Sequence, residues 1–291
     1  MSRSASIHSN VGPIRLVGRH LLATASLLWV CGNLIIALSL LLAIAIVKML
    51  LPIKAIQKNC DYLIEALYQL AVRVDSFWIE NILGIKFEIK GAPIQHSAPV
   101  VISNHHCGFD VAILQEIISG RGPLLKFLIK KEIIWLPIFG WVCFLLDFPR
   151  LNRNKKSQDR EKDYATVKAA TQQHGIERNS HSGALLIFPE GTRFTEAKRA
   201  DQQSPYQQLL KPRSGGLKII QEHAEPGTPL IDITIDYRSK NASLWTCLYG
   251  VPNNIIIHIH HFNLDEIDNM QQWLNQRWHE KDKLLGNRKI N

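Results

Sequence analysis

Apolar positions divide the chain into an N-terminal helical part and a longer part in which strand and helix patterns alternate. Residues 21–47 contain no charged side chain, and about 20 predominantly apolar residues are enough for a helix to span a bilayer. In residues 53–83 apolar side chains recur at helical spacing with charges between them, which is typical of an amphipathic helix. We therefore predict a membrane-associated helical motif in residues 21–83, after a basic tail in residues 1–20.

The membrane topology of this motif is left open by the sequence. Arg15 and Arg19 precede the apolar run and Lys48 and Lys54 follow it, so the charge balance gives no orientation. A re-entrant or two-helix insertion, with both ends at the cytoplasmic face, would explain this balance. The amphipathic helix would either dock on the following domain or lie at the membrane surface.

From residue 84 onward the pattern predicts one α/β domain. Residues 84–90 alternate between apolar and polar side chains, as in a half-exposed strand, and residues 100–102 and 125–129 are short apolar runs typical of buried strands. Helical patterns separate these runs, and this alternation is typical of a sheet with helices on its faces. We expect residues 84–291 to form this domain.

Residues 133–148 are almost wholly apolar and are interrupted by Pro137 and Gly140. Their composition favours a core helix. The alternative is a segment that dips into a membrane, and the two interpretations are compatible in part.

Composition narrows the range of partners. The chain has 291 residues, 46% of them hydrophobic, and a formal net charge of +9, which favours phosphate-bearing partners. The basic residues are not interleaved with regularly spaced aromatic side chains, so we predict no nucleic-acid groove. Five Cys residues form no Cys-x-x-Cys pair, which favours a reduced, cytosol-facing protein.

A polar turn that follows residues 100–102 carries the most informative chemistry. It contains His105 and Asp110, and a separation of five residues cannot bring two side chains together on one continuous helix. The turn itself has to bring them together. A carboxylate that accepts one imidazole N–H fixes the tautomer and leaves the other ring nitrogen free to take a proton from a hydroxyl. We therefore predict that His105 is a general base and that Asp110 orients it.

The His-x-x-x-x-Asp spacing alone is weak evidence, because it occurs twice in the chain. The second pair, His260 and Asp265, also lies where a strand pattern gives way to a helical one, since residues 265–285 are predicted to form the terminal amphipathic helix. Asn104 and Gly108 accompany only the first pair, which favours the first as the functional site. The histidines around His258 suggest a metal site, but no ligand set with zinc-like spacing is complete, so we predict no metal.

A second polar turn, Phe-Pro-Glu-Gly-Thr-Arg at residues 188–193, also ends an apolar run. An ordinary turn at the end of a strand would also contain proline and glycine. Its side chains nevertheless suit a phosphate, because Gly191 lets an oxygen approach backbone N–H groups, Thr192 adds a hydroxyl, and Arg193 offers paired donors. Glu190 would accept a hydrogen bond from a substrate hydroxyl or position Arg193.

Two further basic segments could contact the same phosphate. Arg153 lies in the densest basic run of the chain, residues 150–156, although such a run is more often a solvated loop. Lys211 and Arg213 precede two glycines at a predicted helix start, which is a reasonable phosphate site. Glycine capping of that helix is an equally simple interpretation.

Together these segments resemble the PlsC-type glycerolipid acyltransferases, which include 1-acylglycerol-3-phosphate acyltransferase. The family motifs are matched in order by residues 104–110, by residues 137–153 and by residues 190–193. The resemblance extends from about residue 21 to the C-terminus and is closest to the bacterial YihG-like branch. The fourth motif departs from the family, since residues 230–234 read Leu-Ile-Asp-Ile-Thr in place of a Val-Pro-Val strand, which leaves the shape of that wall of the site open.

The resemblance implies a mixed β-sheet flanked by helices, with an N-terminal membrane-embedded two-helix motif. It implies transfer of an acyl chain from acyl-CoA or acyl-ACP to a lysophospholipid, with 1-acylglycerol-3-phosphate as the expected acceptor and phosphatidic acid as the product, at the cytoplasmic face of a bacterial inner membrane. His105 and Asp110 would be catalytic. No bound cofactor would be needed, because the thioester is already activated. The residues implied in substrate binding are Asn104, Arg153, Glu190, Gly191, Thr192, Arg193, Lys211 and Arg213.

Three alternatives remain at this stage. Cys107 lies inside the first motif and would be the nucleophile of a covalent mechanism, although family members place varied residues there. A metal-dependent membrane hydrolase would use His105, His106 and Asp110. A non-catalytic protein that binds anionic lipid would use only the basic charge. The sequence leaves open the acyl donor, the chain length, the acceptor head group and the oligomeric state.

Overall fold

The computed structural model describes residues 12–94, 98–119, 124–152, 157–177, 183–239 and 241–286. In chain order it contains α1 (Pro13–Leu50), α2 (Lys54–Phe77), a π-helical turn (Trp78–Ile82), β1 (Lys86–Lys90), β2 (Val100–Ser103), α3 (Asp110–Ser119), β3 (Leu124–Phe127), β4 (Ile129–Lys130), a 3-10 helix (Lys131–Trp135), α4 (Phe139–Leu145), β5 (Arg150–Leu151), α5 (Ser157–Glu177), β6 (Gly183–Ile187), α6 (Glu196–Asp201), α7 (Gly215–His223), β7 (Pro229–Asp236), α8 (Leu244–Cys247), β8 (Asn254–Asn263), a 3-10 turn (Leu264–Glu266) and α9 (Met270–Gly286).

Two packed helices, α1 and α2, form the N-terminal part. Among the described residues α1 is the one helix long and apolar enough to cross a membrane, with a mean hydropathy of 2.7 over 18 residues of which only 17% are buried. Asn33 of α1 donates a side-chain hydrogen bond of 2.8 Å to the carbonyl of Ala71 in α2. This bond satisfies a polar group that otherwise lies in an apolar helix pair. The two predicted helices are present, and their membrane topology stays a prediction.

A six-stranded mixed sheet forms the centre of the domain, in the order β1-β8-β7-β2-β6-β3. Neighbouring strands run parallel except β7 and β8, which are antiparallel. The predicted mixed sheet with flanking helices is therefore confirmed. Because β2 lies between β6 and β7 and is parallel to both, the carboxyl ends of these three strands meet at one edge of the sheet. In parallel sheets that edge is where ligands bind.

Alternate side chains of the buried strands supply two separate cores, one on each face of the sheet. On β7, Ile231 and Ile233 join a core that is shared with α2, α3 and α4. Leu230 joins the opposite core, which α5, α7 and α9 cover. Helices cover both faces, so the central strands β2, β6 and β7 are fully buried.

Asp232, which lies in the altered fourth motif, is a charged residue that is fully buried on β7. Its carboxylate is 2.8 Å from Arg277 Nε and 2.5 Å from Lys281 Nζ, both on α9. The Lys281 ammonium also donates to the carbonyl of Ile233 at 2.6 Å. A buried carboxylate is tolerated only when it is paired, so α9 provides the charges that this departure from the family motif requires.

Two secondary-structure predictions are wrong in detail. Residues 125–129 were expected to form one strand, but the backbone leaves the main sheet after β3, and Ile129 N donates instead to the carbonyl of Pro149 to start the small β4–β5 pair. The last helix begins at Met270 and not at Asp265, because the Asp265 carboxylate accepts a hydrogen bond from Gly227 N at 2.5 Å and holds a separate 3-10 turn.

Candidate active site

The turn between β2 and α3 brings His105 and Asp110 together, as their spacing predicts. His105 Nδ1 lies 2.8 Å from Asp110 Oδ2, and the Asp110 side chain is fully buried. The same oxygen accepts backbone hydrogen bonds from His106 at 2.6 Å and Cys107 at 3.0 Å. These donors fix the carboxylate, which in turn fixes the imidazole through Nδ1.

The second ring nitrogen of His105, Nε2, has no hydrogen-bond partner within the part of the chain that the structure describes. The ring stacks on Phe188 with centroids 4.0 Å apart and is 16% exposed. An imidazole that is held from one side by a carboxylate and from its face by an aromatic ring presents its remaining nitrogen in one direction. This is the arrangement that a general base requires.

Asn104 anchors this turn to the neighbouring strand. It is buried, its Nδ2 donates to the carbonyl of Ile235 at 3.1 Å, and its Oδ1 accepts from Ile235 N at 2.8 Å. Both ends of the side-chain amide therefore pair with the β7 backbone. Asn104 therefore fixes the turn on β7, and its expected contact with substrate stays a prediction.

Glu190 connects the second turn to the first. It is buried, its Oε1 accepts from His105 N at 3.2 Å, and its Oε2 accepts from Leu210 N at 3.0 Å. Burial raises the pKa of Glu190 to about 8, although the two backbone donors oppose the shift. Because both carboxylate oxygens are occupied by backbone groups, Glu190 supports the loop that carries His105 and does not pair with Arg193.

The turn that follows β6 places the predicted phosphate-binding groups beside the first turn. Gly191 has a φ of 70°, a left-handed conformation that favours glycine. Arg193 is exposed, and its Nη1 would lie 3.7 Å from a Cβ atom at Gly108. The backbone N–H of Phe194 donates to the carbonyl of His105 at 2.8 Å. The guanidinium of Arg193 therefore lies over the bend that holds the base.

Lys198, which belongs to none of the sequence motifs, contacts this turn. Its Nζ donates to Thr192 Oγ1 at 2.8 Å and to the carbonyl of Arg193 at 3.0 Å. Thr195 caps α6 by accepting from Lys198 N at 3.2 Å. The only sequence signal for this contact is a polar residue at a helix start, Thr195, with a lysine three positions later.

The other predicted basic residues divide into two groups. Arg213 N donates to the carbonyl of Pro189 at 2.9 Å, which attaches the segment with Lys211 and Arg213 to the second turn. Both of these side chains are exposed. Arg153 lies outside the described residues.

Comparison with known proteins places this geometry in a family. The acyltransferase family profile matches residues 86–236, which include both turns and the central strands. The chain belongs to the acyltransferase family. The predicted family is thereby confirmed, and the YihG-like branch stays a prediction.

Relatives extend the match beyond the profile. Probable 1-acyl-sn-glycerol-3-phosphate acyltransferase 5 of Arabidopsis thaliana is 29% identical over 203 residues, which cover 64% of this chain and 52% of the relative. Lysocardiolipin acyltransferase 1 of Mus musculus is 24% identical over 232 residues, 71% of this chain and 58% of the relative. This acyltransferase thus spans little more than half the length of these curated relatives.

A solved structure shares the fold. The 1-acyl-sn-glycerophosphate acyltransferase PlsC from Thermotoga maritima superposes with a TM-score of 0.58, covers 94% of this chain and 98% of its own, and is 15% identical. At this identity the likeness concerns the fold alone. It includes the α1–α2 helix pair as well as the mixed sheet, since nearly the whole of both chains is aligned.

Tyr237 is a site residue of the acyltransferase that sequence reasoning missed. It follows the end of β7, is almost fully buried, and its hydroxyl donates to Asp110 Oδ1 at 2.5 Å. Burial raises the pKa of Tyr237 well above its usual value, so the phenol stays protonated and remains a donor. Its position at the carboxyl end of a strand parallel to β2 was the one signal that could have identified it.

Cys107 lies behind the turn and not at its open side. The residue is 7% exposed, and its Sγ contacts the Tyr237 hydroxyl at 3.3 Å. Its backbone N–H is already used by Asp110. The thiol is thus part of the support for the carboxylate.

The second His-x-x-x-x-Asp pair does not form a comparable site. His260 lies on β8 opposite Asp232, and partial desolvation of its ring, with the charge of Arg277, lowers its pKa. Asp265 instead accepts from Gly227 N, and among the described residues no hydrogen bond or ion pair joins it to His260. Within the same residues no group of three or more His, Cys, Asp or Glu side chains is arranged to hold a metal ion.

Proposed function

We propose that this acyltransferase moves an acyl chain from an acyl thioester to the free hydroxyl of a lysophospholipid, with 1-acylglycerol-3-phosphate as the acceptor and phosphatidic acid as the product. The observation that carries the proposal is the 2.8 Å contact between His105 and Asp110 next to the turn that bears Arg193. The names of the relatives, which include acyltransferases for 1-acyl-sn-glycerol-3-phosphate and lysocardiolipin, support this class of acceptor.

The reaction proceeds by direct attack. His105 Nε2 takes the proton of the acceptor hydroxyl, and the oxygen attacks the thioester carbonyl to give a tetrahedral intermediate. Collapse of the intermediate breaks the C–S bond, and the departing thiolate takes the proton back from His105. The products are an ester and a free thiol. Asp110 stabilises the imidazolium that forms between the two proton transfers.

Arg193 binds the acceptor phosphate, with Thr192 and the backbone around Gly191 adding donors. A guanidinium offers two parallel N–H groups to a phosphate, which an ammonium cannot do. Lys211 and Arg213 add positive charge because their segment is attached to the same turn. Arg153 is proposed from its place in the sequence motif alone.

The acyltransferase works at a membrane, with its catalytic edge in a reducing compartment such as the bacterial cytoplasm. α1 exposes a long apolar surface, and the net charge of +9 favours an anionic membrane. All five cysteines are free thiols. The acceptor and product of the proposed reaction are themselves membrane lipids.

A single assay tests the proposal. The purified full chain in phosphatidylglycerol-containing vesicles is given a panel of lysophospholipids that differ in head group, each with acyl-CoA and with acyl-ACP as donor. We expect an ester product and free thiol in equal amounts, with the highest kcat/KM for 1-acylglycerol-3-phosphate. A preference for lysocardiolipin would change the acceptor and keep the reaction. Release of free fatty acid without any ester product, abolished by chelation, would favour the metal-dependent hydrolase.

A further inference from the structure

Four large apolar side chains project from the segment that follows β3 and are unusually exposed. Trp135 is 83% exposed, Phe144 56%, Leu136 55% and Trp141 53%. We call this group the aromatic ridge. Soluble surfaces rarely expose contiguous apolar side chains of this size, and when they do the patch marks a contact with a membrane or another molecule.

The ridge is a supported structure. Trp141 and Phe144 are three residues apart on one face of α4, while Cys143 and Leu146 on its other side lie in the core. Gly140 packs so closely on the carbonyls of Ile133 and Ile134 that a Cβ atom would overlap them. The 3-10 helix and α4 therefore pack closely together, and the exposed side chains of the ridge belong to a pair of elements that is anchored in the core.

Backbone strain at the turn between these two helices points the same way. Ile138 has a φ of 65°, which a β-branched residue rarely adopts. Such strain persists only where the surrounding structure holds it, and it is concentrated at functional sites. Here it lies at Ile138, between the 3-10 helix and α4, two residues after the exposed Leu136.

The surroundings of the ridge indicate that it contacts a lipid bilayer. α4 packs against α1, whose apolar surface is mostly exposed, so the two surfaces are adjacent. Lys130, Lys131 and Arg150 are exposed at the ridge, and the Arg150 guanidinium lies 5.4 Å from the centroid of the Phe144 ring. Tryptophan together with basic residues beside an apolar surface is typical of a membrane interface with anionic lipid.

The sheet topology places the ridge on the catalytic side of the domain. β3 is parallel to β6, so the end of β3 that leads into the ridge lies at the same sheet edge as His105 and Glu190. We propose that the aromatic ridge inserts into an anionic bilayer as a second contact beside α1, and that it holds the catalytic edge against the membrane. The inference rests on the proposed function for its membrane setting.

Site-specific photo-crosslinking tests the insertion without requiring turnover. Benzoylphenylalanine replaces Trp141 in the full chain, which is reconstituted into vesicles of phosphatidylethanolamine and phosphatidylglycerol and irradiated. Leu40, 48% exposed on α1, serves as the positive control, and Tyr164, 41% exposed on α5 at the opposite face of the sheet, as the aqueous control. We expect phospholipid adducts at positions 141 and 40 and at least tenfold less at position 164.

Two outcomes would overturn the proposal. Adducts at position 40 without adducts at position 141 would show that the ridge lies in water. A covalent dimer at position 141 would show that the ridge is an interface between copies of the chain. Because no substrate is needed, lipid adducts in a chain that transfers no acyl group would reject the proposed function and keep the ridge.

A kinetic variant then tests the role of the ridge. Trp135→Ser combined with Trp141→Ser should raise the apparent KM for a long-chain acceptor in vesicles about tenfold, and leave kcat/KM for a short-chain, water-soluble acceptor within twofold. Equal losses with both acceptors would mean that the substitutions damage the domain and that the ridge does not present the catalytic edge to the membrane.

Discussion

Removing only the hydroxyl of Tyr237 isolates its contribution to the catalytic pair. In Tyr237→Phe the ring still fills its buried site, while Asp110 Oδ1 loses the donor at 2.5 Å. The Asp110 side chain is fully buried, so bulk water does not replace the lost bond. Its other oxygen keeps the contacts with His105 Nδ1 and two backbone groups. The carboxylate therefore stays in place but is free to rotate about its remaining partners.

The expected magnitude follows from the type of bond. A hydrogen bond to a charged group contributes about 1.5 to 3 kcal/mol. We expect that part of this free energy is lost from folding stability. The rest is lost from stabilisation of the transition state, in which Asp110 holds an imidazolium. A loss of about 1.4 kcal/mol of transition-state stabilisation corresponds to a tenfold decrease in kcat. The KM values of both substrates should change less than twofold, because Tyr237 does not contact the proposed phosphate site.

The assay measures initial rates with each substrate varied in turn, together with the thermal unfolding midpoint in detergent. Tyr206→Phe is a matched control, since Tyr206 is also buried but lies in the opposite core, where its hydroxyl donates to the carbonyl of Asn275 at 3.2 Å. It should lower the midpoint and leave kcat unchanged. An unchanged kcat in Tyr237→Phe, or an equal decrease in the control, would refute the positioning role.

Four further outcomes test the site. His105→Ala should lose about a hundred- to ten-thousandfold in rate while circular dichroism shows a folded chain, and His260→Ala should keep most of its activity; the reverse order would mean that the wrong pair was chosen. Cys107→Ala should stay active, and rapid quenching of the wild type with labelled donor should trap no acyl-protein; a label lost only in the variant would establish a covalent mechanism. Arg193→Lys should raise the acceptor KM about tenfold or more, because each charge-assisted hydrogen bond contributes about 1.5 to 3 kcal/mol, and a change confined to the donor KM would move Arg193 to the thioester carrier. The folded pKa of Glu190 is about 8 against an ordinary value of 4.5, so the folded state holds a proton that the unfolded chain releases between these values; the free energy of unfolding should therefore fall as pH rises from 4.5 to 8, and denaturant titrations should show this slope in the wild type and not in Glu190→Gln.

The two turns of the candidate site can be predicted from sequence because each ends a buried strand, and neighbouring parallel strands place their carboxyl ends together. The sequence does not reveal strand order. Tyr237 follows a strand end in the same way but carries no motif, so its contact with Asp110 emerges only when β7 is placed next to β2. The same missing information hides the pairing of Asn104 with Ile235.

The role of Glu190 shows a different limit. A carboxylate next to Gly191 and Arg193 suggests a partner for a substrate or for the arginine, because those are its neighbours in sequence. Its actual partners, His105 N and Leu210 N, are backbone groups that any residue type would offer. The identity of a side chain therefore predicts which interactions it can make, but its actual partner depends on the fold.

The apolar stretch at residues 133–148 combines both of its sequence interpretations. Composition predicts one helix, but Pro137 and the close approach at Gly140 divide it into a 3-10 helix and α4. One side enters the core, as a buried helix would, and the other side remains exposed. Hydropathy alone does not separate these faces, because both are apolar.

The pairing of Asp232 with α9 determines when the fold can be completed during synthesis. A ribosome releases β7, with its buried carboxylate, well before it releases Arg277 and Lys281, and the first strand of the sheet, β1, has to wait for β8. The nascent chain therefore carries an uncompensated charge and an unpaired sheet edge until the last helix emerges. The sheet and its buried ion pair are therefore completed only after α9 has been made, and chaperone protection during synthesis is expected to matter most for this interval.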